Sequence, residues 1–185
     1  MSKDPNKTIY TIGHSTHTTK EFIAMLDSFG VEIVADIRHF PGSRKYPNFN
    51  QGNLEASLRA ANIDYQHIEA LGGRRRVQPD SVNDRWRNAS FRGYADYMET
   101  PEFKKGAEQL EEIGAEKVTA FMCAEAVWWR CHRSMVADYL KAKGWNVMHI
   151  MSVGKAIEHP YTSPARIENG RVYYSNENLF NSHKE

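Results

Sequence analysis

The densest cluster of reactive side chains lies between Met122 and Ser134, where Cys123 and Glu125 precede Cys131, His132, Arg133 and Ser134. A cysteine attacks or ligates only as its thiolate, which forms where a cation, a histidine or the positive end of a helix stabilises it. Here an apolar run, a polar loop and a helical repeat follow one another, which puts Cys131, His132 and Arg133 at a helix N-terminus. Unpaired N–H groups at such an end favour an anion, and an arginine fork matches phosphate or sulfate. Several readings stay open. A cysteine activated by His132 or His14 would be a nucleophile or a sulfur or redox centre, while Cys123, Cys131, His132 and one more histidine would make a tetrahedral zinc set. A bland alternative has Cys123 buried and Arg133 capping its helix. No C-x-x-C or H-E-x-x-H spacing supports zinc, so neither metal nor cofactor is expected, and both thiols are expected to be free and reduced.

Other polar residues follow other apolar runs. His14 and Ser15 come directly after residues 8–12, Asp36 and Arg38 close residues 31–37 with Ser43 just beyond, and His149 sits within residues 145–150. Asp36 or Glu125 suits a general base with a histidine as proton partner, and Ser15, Arg38, Ser43, Arg74 and Arg133 suit substrate binding. Trp128 and Trp129 are adjacent in a polar loop and cannot both enter one core. Trp128 is therefore assigned to stacking a planar ligand. Arg74, Arg75, Arg76, Arg85, Arg87 and Arg92 interleave with Trp86, Phe91, Tyr94 and Tyr97, a combination that could bind a phosphate backbone and unstacked bases. Phe91, Tyr94 and Tyr97 also have helical spacing, which reads as a core stripe.

Positioning these residues requires alternating strands and helices. Residues 8–12, 31–37, 63–68, 118–122 and 145–150 read as strands, the second so continuously apolar that it must be buried on both faces. Helices fall between them. Thr18 and Glu21 have capping-box spacing, Thr100-Pro101-Glu102 supplies a cap, an N1 proline and an acidic first turn, and Gly30, Gly114 and Gly144 read as helix stops. Asn169-Gly170 between two β-rich runs reads as a type I′ hairpin, expected to add an antiparallel edge. The expected fold is thus a single three-layer α/β domain over residues 8–175. It has a mainly parallel sheet of about five strands flanked by helices and a C-terminal antiparallel hairpin, with flexible ends at 1–7 and 176–185. In such a sheet ligands sit beyond the carboxyl ends of the strands, where the polar residues named above converge.

Composition narrows the classes. The 185 residues carry 24 Lys plus Arg and 23 Asp plus Glu, a net charge of +1, so any nucleic-acid footprint must be local. Hydrophobic residues at 41% exclude wholesale disorder. The longest apolar runs fall far short of the ~20 residues of a membrane helix. The opening residues lack an apolar core, so a soluble, cytoplasmic protein is expected, with no membrane partner and an unspecified oligomeric state.

Read together, Thr11-Ile12-Gly13-His14-Ser15, Asp36-Ile37-Arg38 with Pro41-Gly42-Ser43, Pro47-Asn48-Phe49, Leu71-Gly72-Gly73-Arg74, Met122-Cys123-Ala124-Glu125 and Cys131-His132-Arg133-Ser134 resemble the domain-of-unknown-function family numbered 488. The resemblance spans roughly residues 9–150 and implies an α/β domain with a shared polar site, without a settled reaction. Ala126-Val127-Trp128-Trp129-Arg130 departs from the acidic or proline-containing loop that the family pattern implies. A weaker similarity, of architecture alone, is to rhodanese-like and cysteine-phosphatase domains. The expectation is an enzyme, a hydrolase or transferase, acting on a phosphate-bearing nucleotide or nucleic acid. The alternatives are a non-catalytic nucleic-acid-binding module and a cysteine-based sulfur or redox enzyme.

Overall fold

The computed structural model describes residues 7–176, and the terminal stretches expected to be flexible fall outside that range except for Lys7 and Asn176. Among the described residues, β1 (Thr8–Gly13), β2 (Ile33–Asp36), β3 (Asp64–His67), β4 (Thr119–Cys123), β5 (Asn146–Ser152) and β6 (Lys155–Glu158) form one sheet in the order β3-β2-β4-β1-β5-β6. All neighbours pair parallel except β5 and β6. Two apolar layers cover it. Ile12, Val34, Ala120, Met122 and Ile150 pack under α1 (Thr19–Asp27) and α2 (Gln51–Ala60) through Phe22, Leu26, Leu54 and Leu58. Ile9, Ala35, Phe121 and Val147 pack under α3 (Ala89–Tyr97), α4 (Pro101–Glu116) and α5 (Arg133–Ala142) through Tyr94, Phe103, Leu110, Met135 and Leu140.

Local chemistry starts and stops these elements. Thr18 caps α1 by accepting from Glu21 N at 3.1 Å, Thr100 caps α4 from Phe103 N at 3.3 Å, and Asn88 caps α3 from Ser90 N at 2.8 Å. Phe91, Tyr94 and Tyr97 lie on α3, with Tyr94 buried in the core as the stripe reading expects.

Three expectations change. The hairpin of β7 (Arg166–Glu168) and β8 (Arg171–Tyr173) forms as expected, with Asn169 and Gly170 at φ 51 and 74, but it is a separate two-stranded sheet. The antiparallel edge is instead β6, which turns back from β5 at Gly154 (φ 69). Gly114 does not end α4. The helix continues to Glu116, and a Cβ on Gly114 would lie 3.0 Å from the Trp145 ring, so this glycine is required for packing.

In this topology β1 and β4 lie side by side while the chain leaves them toward opposite ends of the sheet. Their carboxyl ends open a crevice at the switch point.

Candidate active site

The crevice holds a cavity of about 580 Å³. It exists because β1 ends in Gly13, where a Cβ would sit 1.7 Å from the Glu125 carbonyl oxygen. Glycine alone lets the loop after β4 lie across the end of β1. His14 N and Ser15 N then donate to the Cys123 and Ala124 carbonyls at 3.0 and 2.9 Å, prolonging the ladder beyond the strands. Ser15 lies in the left-handed region at φ 47.

His14 stacks on Phe49 with ring centroids 4.3 Å apart, and its Nδ1 lies 2.9 Å from the Ser15 carbonyl. A carbonyl only accepts, so Nδ1 carries the proton and Nε2 keeps its lone pair. Burial lowers the pKa of His14, outweighing the Ser15 hydrogen bond that raises it. On the far wall, Asp36 is fully buried. It receives Arg38 Nε at 2.9 Å and Nη2 at 2.7 Å, the Arg38 backbone N at 3.1 Å and the Tyr65 hydroxyl at 2.5 Å. With four donors on its two oxygens, Asp36 meets the cavity only through Arg38. Burial and the Asp36 carboxylate push the Tyr65 phenol up, so Tyr65 stays a donor.

The floor is a thiol pair. Cys123 Sγ lies 2.9 Å from Cys131 Sγ, and both line the cavity as free cysteines. Burial alone would raise the pKa of Cys123. The Cys131 S–H and the Arg133 cation outweigh burial and bring it down to about 7. Burial and the first charge then hold the Cys131 thiol up, so the pair shares one proton near neutrality. Beside it His132 Nε2 donates to the Ile37 carbonyl at 2.9 Å and packs on Gly73, where a Cβ would approach Nδ1 to 3.0 Å. Burial, with Arg133 and Arg75 nearby, takes His132 down to about 4, so at neutral pH it is an uncharged base.

Cations ring the mouth. Lys45 and Arg74 line it with Arg38, and Arg74 has φ 62. Phe40 is 65% exposed at the same rim, with the Arg74 guanidinium 6.0 Å above its ring. Ser43 donates its N–H to Asn50 Oδ1 at 2.5 Å and takes the Tyr46 N–H on its hydroxyl at 3.0 Å, which shapes this loop.

A family model described as "Domain of unknown function DUF488" matches residues 18–140. The chain belongs to the DUF488 family. No curated protein and no solved structure matches it. Within the DUF488 match fall Asp36, Arg38, Arg74, Cys123, Cys131 and Arg133, while β1 with His14 lies outside it.

In this DUF488 protein the cavity brings together His14, Ser15, Arg38, Ser43, Arg74, Glu125, Cys131 and His132. Three expected residues do not line it: Asp36, buried behind Arg38, and Arg133 and Trp128. Arg133 is 1% exposed and sits beneath the floor, its Nη1 donating to Thr11 Oγ1 at 3.1 Å and its Nη2 to the Glu125 carbonyl at 3.0 Å. The absence of a Cβ on Gly13, whose position would be 3.1 Å from Nη2, makes room for it. Trp128 stands behind the site and stacks on His149 at 4.6 Å with an interplanar angle of 1°. Sequence reasoning missed Tyr65, His67 and Lys45. Tyr65 and His67 occupy alternate positions of an edge strand, so the D-x-R motif one strand away was their only signal, and His67 Nε2 meets the Arg38 carbonyl at 2.8 Å.

Proposed function

We propose that this protein is an enzyme in which the Cys123 thiolate attacks an electrophilic centre of a small phosphate-bearing substrate of nucleotide size. The observation that carries the reading is the Cys123–Cys131 pair, 2.9 Å apart on the floor of a cavity with Arg38, Lys45 and Arg74 on its walls. The second thiol stabilises the first as a thiolate by hydrogen bonding, and the three cations favour an anion. In the reaction Cys123 Sγ bonds to the electrophile as the leaving group departs with the electron pair. Water then attacks the adduct, its proton passing to the neutral His14 imidazole, and the thiolate is released. Phe40 at the rim offers a face for a planar base.

A nucleic-acid-binding module based on the arginine-rich segment has less support. Arg75 stacks 3.7 Å over Tyr97, Arg85 Nε donates to the Pro164 carbonyl at 2.7 Å, and Arg92 holds Ser81 through Nε at 3.1 Å and Nη2 at 3.0 Å. These three act as internal braces.

The test is the rate of iodoacetamide alkylation against pH, with the modified cysteine mapped by mass spectrometry, with and without nucleoside monophosphate. The expected result is one fast-reacting thiol with a midpoint near 7, protected by the nucleotide and not by the uncharged nucleoside. Cys131→Ala raises the midpoint and Cys123→Ser abolishes the fast phase. Two thiols of ordinary midpoint, about 8.5 for free cysteine, without nucleotide protection overturn the reading.

A further inference from the structure

Beneath the floor, on the α5 face of the sheet, polar side chains form a continuous buried line. Arg133 Nη1 lies 3.1 Å from Thr11 Oγ1, Thr11 Oγ1 2.5 Å from His149 Nδ1, His149 Nε2 2.8 Å from His159 Nδ1, and His159 Nε2 2.8 Å from Asp138 Oδ1. Thr11, His149, His159 and Asp138 are each 0% exposed. None of them lines the cavity or was singled out for catalysis above.

With one proton on each imidazole, the two ends fix the direction of every bond. A guanidinium only donates, so the Thr11 hydroxyl accepts from Arg133 and is free to donate its own proton to His149 Nδ1. At the other end Asp138 receives Thr162 N at 3.0 Å, Thr162 Oγ1 at 2.5 Å and the Tyr174 hydroxyl at 2.8 Å, all donors. As an acceptor on every side, it requires the proton of His159 to be on Nε2. His159 Nδ1 then accepts, and His149 supplies the proton from Nε2. One proton per ring satisfies both imidazoles, and of the side-chain polar atoms in the line Arg133 Nε has no hydrogen-bond partner. Burial, with His159 and Arg133 nearby, keeps His149 uncharged.

We infer that this line is a one-way hydrogen-bond relay that couples the Asp138 carboxylate to the Arg133 guanidinium and so holds that cation beneath the Cys123–Cys131 pair, which makes Thr11, His149, His159 and Asp138 positioning residues for the thiolate. The inference rests on the reading of Cys123 as nucleophile. A buried polar line is poor economy for stability alone, because well-packed apolar residues of equal volume usually serve as well. Here the line crosses β1, β5, the residue after β6 and α5 to end at Arg133, a cation under the floor. The relay also accounts for Trp128, whose ring lies flat on His149 and edge-on to His159 at 5.1 Å and walls both from solvent. It accounts for β6 as well. That strand ends at Glu158, and His159 N donates to the Val147 carbonyl at 2.8 Å, so the edge strand delivers His159 into the line.

Besides Arg133, the titratable and charged groups around the thiol pair are His132 just before α5, His14 just after β1, Glu125 from the loop, Tyr94 from α3, and Arg38, Lys45 and Arg74 at the walls. The relay variants leave all of these in place. The experiment uses the full chain and two readouts. Long-range 1H–15N NMR of the imidazoles reads the tautomers, with the Nε2–H form expected at both His149 and His159. Alkylation of Cys123 by iodoacetamide against pH reads the consequence. Thr11→Val removes one hydroxyl at constant shape, and with Asp138→Asn it is expected to raise the thiol midpoint by about one pH unit, the lower range for losing an opposite charge. Thr11→Ser is expected to restore it. Thermal melts confirm that each variant is folded, and Thr11→Val decides if Asp138→Asn is not. An Nδ1–H tautomer at either histidine overturns the relay, as does a midpoint near 7 in the wild type that Thr11→Val leaves unmoved. An ordinary midpoint in the wild type with the expected tautomers overturns the nucleophile reading, and with it the relay's role, while the direction of the bonds stands.

Discussion

Ser15 and Arg74 are the two residues at which the backbone conformation carries a cost. Among the described residues four non-glycines have positive φ; Asn62 and Asn169 are of the type that tolerates it in turns, whereas Ser15 and Arg74 both line the cavity. The left-handed region costs an ordinary residue about 1 kcal/mol. Arg74→Gly is therefore expected to raise the urea midpoint slightly, by the equivalent of up to about 1 kcal/mol, while weakening nucleotide protection of Cys123 against iodoacetamide. Unchanged protection would place the anion elsewhere in the cavity. His14, Ser15, Arg38 and Glu125 were legible because each lies within two residues of a strand end. The relay was hidden because its chemistry depends on burial: Asp138 reads as a surface residue between Ala137 and Tyr139, and His159 as part of a loop. Arg133 was legible as a cation at a helix start. Its inward direction depends on the missing Cβ of Gly13, which lies in another element.

Elements show the same division between local and distant causes. Caps, N1 proline, the type I′ hairpin and the buried parallel strands follow from neighbouring residues, and they appear within a residue or two of their expected bounds. Gly114 was misread because a glycine at a helical position has two explanations, a stop or a close approach, and only the partner distinguishes them. The partner is Trp145, which cannot easily retreat because its Nε1 donates to Glu111 Oε1 at 3.0 Å. Gly114→Ala offers about 1 kcal/mol of helix propensity but presses a methyl against this ring and against Ile9, whose Cδ1 would be 3.4 Å away. Overpacking typically costs about 1–3 kcal/mol. The expected outcome is a net loss of stability in urea denaturation, and a gain would show that the Trp145 indole can shift. β6 was missed because four residues with two charges and no strict alternation carry too little pattern, and its partner β5 holds it in register.

For the molecule as a whole, uncharged buried histidines make stability depend on pH. His132 is lowered to about 4, and His14 and His149 are also lowered, each chiefly by burial. Between about pH 6.5, where an unfolded histidine takes up its proton, and pH 4, the unfolded chain binds protons that the folded chain refuses. Stability therefore falls as pH falls through that window, by about 1.4 kcal/mol per pH unit for each such histidine at the steepest. Urea midpoints measured from pH 7 to pH 4.5 are expected to decline steadily, and a flat profile would mean that these rings are hydrated. No helix among the described residues is long and apolar enough to cross a membrane.

The sheet has one further consequence at its borders. Both outer strands, β3 and β6, have four residues, and exposed charges stand on each: Asp64, paired with Lys117, on the first, Lys155 and Glu158 on the second. An unpaired strand edge is a template on which another chain can assemble, and a short edge bearing charge is a poor one. The turn of chain that carries His159 into the interior thus also ends the sheet in a form that discourages stacking of one copy upon the next.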